Sequence, residues 1–307
     1  MSVDLVVVGG YSAAEWQAGF EASGAAIRVH DADSAPPCRY ALAWLPPDGF
    51  FASQPRLEVL FSMGAGVEGL LAAGLPQGLA LIRLEDAGMA PQMAGYVVWG
   101  VLRHLRGFDA LAAGAREGGD WSRWRSPPAT DARIGVMGMG VMGQAVLAAL
   151  APLGFTLRGW RRTAHSLAGV ECFAGLHQLD AFLDGLDALV AVLPHTAATT
   201  DLLDAKRFAR LAPGALVLNA GRGSLIVDAD LLAALDCGQV GAALLDVFRE
   251  EPLPATHPFL HHPRITVTPH IAARTQIALS AQQIAGKIAR LEAGLSVSGW
   301  VDRSRGY

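Results

Sequence analysis

The sequence contains few cysteines and few charged residues, with no large excess of either charge. Its 307 residues include three cysteines, Cys38, Cys172 and Cys237. They lie far apart and form no C-x-x-C pair, so we expect reduced thiols rather than a disulfide framework. Lys and Arg number 24 and Asp and Glu number 28, which gives a net charge of −4. Because there is no surplus of cations to neutralise phosphates, nucleic acid is not an expected partner.

Long apolar runs are also missing. No stretch approaches the roughly 20 uncharged residues that span a bilayer, so a membrane is not an expected partner either. The short apolar run 5–8 follows Asp4 with no basic residue before it, which is not the charge order of a secretory signal. Hydrophobic residues make up 52% of the chain and charged residues 17%, as is typical of a folded protein. We therefore expect a soluble, cytoplasmic protein.

The patterns that are present indicate an α/β protein with two domains. Short β-branched runs alternate with helical patterns, which predicts parallel sheets of the Rossmann-like or flavodoxin-like kind. Strands are predicted at 5–8, 27–29, 41–45, 57–61 and 79–84, and then at 134–137, 155–160, 188–193, 215–219, 242–248 and 265–268. One extended helix is predicted over 90–115 and a final one over 272–293. We expect one domain of residues 1–102 and 273–307, and another of residues 103–272.

A glycine-rich turn marks the expected cofactor site. The predicted strand 134–137 runs directly into Gly138-Met139-Gly140-Val141-Met142-Gly143, and an apolar helix follows. This is G-x-G-x-x-G in the strand-turn-helix context that dinucleotide binding requires, because glycines allow a tight turn and a close approach of the pyrophosphate to the helix N-terminus. All six residues are candidate cofactor contacts. The alternative is a tight turn without a ligand.

The end of the following strand indicates which dinucleotide binds. An acidic residue there would bind the ribose 2′-hydroxyl, whereas arginine accommodates a 2′-phosphate. The sequence has Trp160-Arg161-Arg162-Thr163, without a carboxylate. Two guanidiniums and a hydroxyl favour NADP(H) through charge-assisted hydrogen bonds, with NAD(H) as the second choice. The alternative interpretation is a solvated basic turn.

Three side chains suited to carbonyl chemistry follow predicted strands. Arg222 comes after 215–219, Glu251 after 242–248 and His270 after 265–268, and open α/β sheets bind ligands at this edge. Reduction of a 2-keto acid needs a cationic group that binds the anion and polarises the carbonyl, and an acid kept protonated by a neighbouring carboxylate. These three residues are the candidate catalytic residues.

The motifs resemble those of the D-isomer-specific 2-hydroxyacid dehydrogenase family. GMGVMG, LPHTAAT, NAGRGSLIVDADLLAAL, GAALLDVFREEPLP and TPHIAA stand in the family's order, and the resemblance covers essentially the whole chain. YALAWLPP, FSMGAGVEGL, RLEDAGMAPQM and the terminal VDRSRGY are similar to a branch of the family that reduces glyoxylate and hydroxypyruvate.

The resemblance implies a role for each matching residue. Arg222 would orient the keto acid, His270 would be the general acid/base and Glu251 would pair with His270. It also implies two similar α/β domains with an active-site cleft between them. Residues 1–102 and 273–307 would bind the substrate, and residues 103–272 would bind the dinucleotide. The protein would be a homodimer. Further implied contacts are Leu193, Pro194, Ala220, Gly221 and Asp246 with the cofactor, and Trp44, Met63, Gly64, Ala65 and Gly66 with the substrate.

We therefore expect NADPH-dependent reduction of glyoxylate to glycolate and of hydroxypyruvate to D-glycerate. Two alternatives stay open: a reductase for another 2-keto acid, such as phenylpyruvate or 2-ketogluconate, and a dinucleotide-sensing scaffold, since one fold serves several functions. His195 also follows a strand but lies outside TPHIAA, so it is not expected to be catalytic. His257, His261 and His262 stand in a Pro-rich loop without further ligands, and no metal site is predicted there.

Overall fold

The computed structural model describes residues 3–116, 131–304 and 306. They form two compact units. The first comprises the described residues up to Met89 and from Arg274 onward, and the second comprises those within Ala90–Ala273. Each unit contains a parallel β-sheet, as the alternating pattern predicts. The assignment of substrate to one unit and dinucleotide to the other stays a prediction at this point.

Strands and helices alternate along most of the chain. The strands are β1 (Val3–Val8), β2 (Ile27–Asp31), β3 (Tyr40–Ala43), β4 (Val59–Ser62), β5 (Ala80–Ile82), β6 (Arg133–Met137), β7 (Thr156–Arg161), β8 (Val170–Ala174), β9 (Ala188–Ala191), β10 (Ala215–Asn219), β11 (Val240–Leu245) and β12 (Ile265–Val267). The α-helices are α1 (Ala13–Ala22), α2 (Phe50–Ser53), α3 (Glu68–Ala72), α4 (Met89–Leu105), α5 (Phe108–Arg116), α6 (Val141–Leu150), α7 (Leu179–Leu183), α8 (Ala205–Phe208), α9 (Asp228–Asp236) and α10 (Ile277–Glu292).

The first unit contains a five-stranded sheet in the order β2-β1-β3-β4-β5, with neighbouring strands parallel. Strands β3 and β4 are buried at every position, which explains why their sequence is apolar up to Ser62 at the end of β4. α10 packs on α1, where a Cβ on Gly19 would lie 2.9 Å from Ile277. At the other end of α10, Glu292 accepts hydrogen bonds from Tyr40 Oη at 2.5 Å and Arg39 Nη1 at 2.6 Å. Both ends of α10 are thereby fixed within this unit.

The second unit contains a seven-stranded parallel sheet in the order β12-β11-β10-β9-β6-β7-β8. From β6 the strand order runs to β7 and β8 on one side, and from β9 it runs to β10, β11 and β12 on the other, so the order reverses between β6 and β9. Sheets of this type bind ligands beside such a reversal, at the carboxyl ends of the strands. α4 covers one face of the sheet. Its Val97 and Val101 are fully buried, and a Cβ on Gly100 would lie 2.5 Å from Leu244.

Two details of the predicted secondary structure are wrong. The single helix expected over 90–115 is divided into α4 and α5 by Gly107, whose φ is +63° and whose N–H donates to the His104 carbonyl at 3.0 Å. This is a left-handed helix ending that favours glycine. Strand β8 was not predicted. It lies at the edge of the sheet with no fully buried position, so it lacks the apolar pattern of the inner strands.

Within the described residues, no helix combines the length and apolar character needed to cross a membrane. Cys38 is buried, Cys172 is half-buried and Cys237 is exposed, and all three are free thiols.

The turn from β6 into α6 depends on close backbone contact. Gly138 has a φ of +104°, which favours glycine, and its N–H donates to the Trp160 carbonyl at 2.8 Å. A Cβ on Gly143 would lie 1.7 Å from the carbonyl oxygen of Gly138. The helix therefore begins directly against the end of the strand, and position 143 has no room for a side chain.

Gly143→Ala is expected to destabilise the protein by about 2 kcal/mol or more, because the added methyl group collides with backbone atoms. Gly95→Ala is the matched control, since Gly95 is also helical and a Cβ there would meet no atom within 4 Å. That change should stabilise the protein by about 0.5–1 kcal/mol, the usual gain from replacing a helical glycine. Urea unfolding measures both effects. A Gly143→Ala protein as stable as the wild type would contradict the close contact.

Candidate active site

Arg222, Glu251 and His270 follow the neighbouring strands β10, β11 and β12 of the second unit. His270 Nδ1 lies 2.7 Å from Glu251 Oε2, and Glu251 Oε1 accepts a hydrogen bond from the Phe248 N–H at 2.9 Å. The Arg222 guanidinium is near enough to act on the charge of Glu251. The structure thus brings together a cation, a carboxylate and an imidazole at one edge of the sheet.

The environment of Glu251 keeps its carboxylate ionised. Burial alone would raise the pKa of Glu251, but the hydrogen bonds from His270 and the Phe248 N–H, with the charges of His270 and Arg222, bring the pKa below its ordinary value. An ionised carboxylate at Nδ1 fixes the orientation of an imidazole and stabilises its protonated form. Nε2 is then the nitrogen of His270 that can exchange a proton with a ligand.

Asp246 holds the turn that carries His270. The φ of His270 is +54°, a left-handed conformation that is strained for a residue with a side chain. Asp246 is 1% exposed. Its carbonyl accepts from the His270 N–H at 2.9 Å, and its carboxylate accepts from the Ile271 and Ala272 N–H groups at 2.9 and 2.8 Å. The N–H groups of three consecutive residues therefore all donate hydrogen bonds to Asp246. The implied contact of Asp246 with the cofactor stays a prediction.

Two hydroxyls extend this network. Thr268 Oγ1 donates to Asp246 Oδ1 at 2.6 Å and lies 2.6 Å from Tyr96 Oη. Because a threonine hydroxyl has a single proton, Tyr96 must be the donor to Thr268. Burial raises the pKa of Tyr96 well above its ordinary value, so the phenol keeps the proton that it donates. Sequence reasoning missed Tyr96, because an aromatic residue within an apolar helix gives no functional signal.

Asn219 shapes the turn that presents Arg222. Its Nδ2 donates to the Arg222 carbonyl at 2.9 Å, and its Oδ1 accepts from the Gly221 N–H at 3.1 Å. A Cβ on Gly221 would lie 2.6 Å from the Leu193 carbonyl oxygen. Leu193, Ala220 and Gly221 are buried where the loops after β9 and β10 meet, and Pro194 is half-buried beside them in sequence. The cofactor contacts implied for these residues stay predictions.

The start of α6 fits the phosphate of a dinucleotide. Gly140 precedes the helix, no side chain caps it, and a Cβ on Gly140 would meet no atom within 4 Å. Val141 is 53% exposed and Met142 is half-buried. The first N–H groups of a helix lack partners within the helix, and its dipole is positive at this end. The backbone here is open to an anion.

β7 is the strand next to β6 in the sheet, and its end presents cationic side chains. Arg161 is half-buried, and Arg162 and Thr163 are exposed. Trp160 is 4% exposed and Met139 is 1% exposed, so both lie in the core. The groups that a ligand can reach at the end of β7 are therefore two guanidiniums and a hydroxyl.

In the first unit, the segment 63–66 follows β4. Met63 and Gly64 are buried, whereas Ala65 and Gly66 are half-buried. The Gly64 N–H donates to Ser62 Oγ at 3.3 Å. Within the described part of the chain, the N–H groups of Ala65 and Gly66 have no hydrogen-bond partner. Successive free amides of this kind form a concave site for an anion such as a carboxylate.

Trp44 follows β3, the strand that neighbours β4. Its side chain lies over the loop, since a Cβ on Gly64 would be 2.9 Å from the indole Cζ3. Trp44 is 44% exposed, and its ring therefore forms a wall beside the two free amides. Met63 lies beneath, with its sulfur 2.8 Å from the position of a Cβ on Gly10.

His257, His261 and His262 have separate partners. These are Asp228 Oδ2, the Ala255 carbonyl and Asp236 Oδ1, respectively. Among residues 3–116, 131–304 and 306, no group of three or more His, Cys, Asp or Glu side chains is placed to hold a metal ion.

The chain is similar to known dehydrogenases over nearly its whole length. The family described as "D-isomer specific 2-hydroxyacid dehydrogenase, NAD binding domain" matches residues 98–272. Glyoxylate/hydroxypyruvate reductase A of Serratia proteamaculans (strain 568) is 42% identical over 305 residues, which covers 97% of each chain. The protein of the same name from Yersinia enterocolitica is 41% identical over 305 residues, again 97% of each chain.

Two solved structures resemble the whole fold. A D-isomer specific 2-hydroxyacid dehydrogenase from Xanthobacter autotrophicus Py2, in complex with NADPH and MES, is 39% identical, with a TM-score of 0.94 and 100% of each chain covered. The NADPH-dependent glyoxylate/hydroxypyruvate reductase from Sinorhizobium meliloti, in complex with NADP and sulfate, is 36% identical, with a TM-score of 0.91 and the same coverage. The predicted two-domain parallel α/β fold is confirmed.

Glu251→Gln is expected to remove a pH-dependent part of the stability. A carboxyl group whose pKa is lowered by folding stabilises the protein above its unfolded pKa, and this contribution is lost as the pH falls through the folded pKa. Between about pH 7 and pH 3.5, the wild type should therefore lose about 0.5–1 kcal/mol relative to the variant, a small value because solvent screens this partly exposed pair.

Glu250→Gln is the control, since it changes the preceding, exposed carboxylate, which has no hydrogen bond to His270. Urea unfolding of the three proteins across this pH range measures the difference. Equal pH dependence in the wild type and Glu251→Gln would show that the contacts of Glu251 with His270, the Phe248 N–H and Arg222 do not together stabilise the ionised carboxylate.

Proposed function

Because the chain belongs to the D-isomer specific 2-hydroxyacid dehydrogenase family, an NAD(P)-dependent oxidoreductase family, we propose that it reduces small 2-keto acids with NADPH. The proposed reactions are glyoxylate to glycolate and hydroxypyruvate to D-glycerate. The observation that supports this most directly is the hydrogen bond of 2.7 Å between His270 and Glu251 at the strand ends that also present Arg222. The names of the relatives from Serratia and Sinorhizobium agree with it.

The three residues divide the chemistry of carbonyl reduction. When bound, the reduced nicotinamide supplies the hydride that the keto carbon accepts. His270 donates a proton from Nε2 to the keto oxygen, so that the carbonyl becomes a hydroxyl. Glu251 holds Nδ1 and stabilises the imidazolium before this transfer. Arg222 binds the anionic substrate and polarises the keto oxygen through its guanidinium.

The amides of Ala65 and Gly66 are the proposed ligands of the substrate carboxylate. They are free within the described residues, and amide donors bind a carboxylate without the desolvation cost of a second cation. Trp44 covers the neighbouring Gly64, which favours a keto acid with a short side chain over a bulky one.

The start of α6 and the end of β7 are the proposed sites of the dinucleotide phosphates. The open backbone at Gly140 fits the pyrophosphate, and Arg161, Arg162 and Thr163 fit a 2′-phosphate. In this proposal the second unit binds the cofactor and the first binds the carboxylate of the substrate. Solved relatives in complex with NADPH or NADP support the choice of cofactor.

A homodimer and a cytoplasmic location complete the proposal. Trp99 on α4 is 46% exposed and Phe108 on α5 is 45% exposed, and large exposed aromatic residues are common at subunit interfaces. The three free thiols suit a reducing compartment.

The purified protein should oxidise NADPH rapidly with glyoxylate or hydroxypyruvate, and slowly with phenylpyruvate or 2-ketogluconate. His270→Ala should lower kcat by about 10²-fold to 10⁴-fold, because it removes the proposed proton donor. His195→Ala is the matched control, since it removes an exposed imidazole that also follows a strand of this sheet, and kcat should stay at the wild-type level. Absorbance at the nicotinamide band measures all rates.

Turnover with bulky keto acids only would contradict the proposed substrate. Dinucleotide binding without turnover of any of the four keto acids would favour a sensing protein instead.

Replacing Arg161 and Arg162 together by serine should raise KM for NADPH by about 10-fold to 100-fold, because charge-assisted hydrogen bonds to a 2′-phosphate are lost. KM for NADH, which has no such phosphate, should change little and serves as the internal control. A similar loss with both cofactors would show that the two arginines support the turn rather than select the phosphate.

A further inference from the structure

Two hydroxyls, one buried and one half-buried, hold the loop that presents the free amides of Ala65 and Gly66. The first belongs to Ser62, at the end of β4, which is 1% exposed. Its Oγ accepts from the Gly64 N–H at 3.3 Å and donates to the Gly66 carbonyl at 3.0 Å. One side chain thus closes the loop on itself and satisfies two of its backbone groups.

The second hydroxyl reaches the loop from a distant part of the chain. Thr275 Oγ1 donates to the Met63 carbonyl at 2.7 Å, across 212 positions of sequence. The Met63 carbonyl and the Gly64 N–H belong to the same planar peptide group. Thr275 therefore holds its oxygen while Ser62 holds its N–H, and the peptide cannot rotate without breaking both hydrogen bonds.

Thr275 itself is held in place. Its carbonyl accepts from Tyr11 Oη at 3.4 Å, and α10 begins two residues later, packed on α1 near Gly19. Thr275 thus lies two residues before a packed helix and has a hydrogen bond of its own to Tyr11. By contrast, Ser23 at the end of α1 donates to the carbonyl of Phe20, only three residues away, which is an ordinary local contact at a helix end.

We infer that Ser62 and Thr275 are positioning residues that fix the Met63–Gly64 peptide and thereby aim the Ala65 and Gly66 amides at the substrate carboxylate. This inference rests on the proposed function, in which those amides bind the carboxylate. Neither hydroxyl touches the reacting atoms. Their loss should weaken binding of the carboxylate more than it slows hydride and proton transfer.

Thr275→Val removes the hydroxyl at nearly constant volume. It should raise KM for glyoxylate about five- to twentyfold with less than about a threefold change in kcat, the pattern expected when a binding interaction is weakened. Ser62→Ala should act in the same direction. Thr275→Ser, which restores the hydroxyl, should return KM close to the wild-type value, whereas a role in packing alone would not be rescued by serine.

Oxalate is the probe that separates binding from turnover. As an unreactive small carboxylate, it should bind to Thr275→Val and to Ser62→Ala about five- to twentyfold more weakly than to the wild type by calorimetry in the presence of NADP. Ser23→Ala is the matched control and should leave both KM and the oxalate affinity unchanged. Melting temperatures identify a variant that fails to fold, and Thr275→Ser and Ser62→Ala then decide the question.

The results also separate this inference from the proposed function. Wild-type protein that binds oxalate but does not reduce glyoxylate would contradict the proposed reaction, while the oxalate affinities would still test the two hydroxyls. Equal oxalate affinity in the wild type, Thr275→Val and Ser62→Ala would overturn the positioning role. A fall in kcat with unchanged KM would overturn it as well, and so would a wild type that binds no oxalate.

Discussion

The Asp246 carboxylate is the anchor of the candidate catalytic centre. It lies at the end of β11, almost completely buried, and accepts hydrogen bonds from Thr268 and from the amides of Ile271 and Ala272. A buried charge is costly unless donors surround it, and here the donors come from the turn that carries His270. The same contacts hold His270 in a left-handed conformation that residues with a side chain rarely adopt. The approach of His270 to Glu251 depends on this turn.

Each unit presents groups suited to an anion, but the physical means differ. In the second unit, the cationic group is the Arg222 guanidinium. Its charge, together with hydrogen bonds, outweighs the effect of burial and leaves the carboxylate of Glu251 ionised. In the first unit, the donors are backbone amides in a loop closed by Ser62. A flexible cation adapts to its ligand, whereas a pair of amides can bind an anion only when the backbone is held in place. The hydrogen bonds of Ser62 hold this loop.

Much of the architecture was predictable because the pattern of apolar residues along the sequence reflects which residues are buried. The inner strands are buried on both faces, so they read as short apolar runs, and all of them were found within a few residues of their true ends. The break at Gly107 and the edge strand β8 were missed. In both cases the decisive factor was local: a positive φ at one glycine, and a strand with little burial to shape its sequence.

The sequence by itself determined the two parallel sheets, the glycine turn between β6 and α6, and the choice of Arg222, Glu251 and His270 as candidates, because strand ends in a parallel sheet share one edge. Only the tertiary structure decided how these groups are held. The hydrogen bonds of Tyr96 with Thr268 and of Thr275 with Met63 join residues 172 and 212 positions apart. Such pairs leave no periodic or local signal, because their partners become neighbours only when the chain has folded.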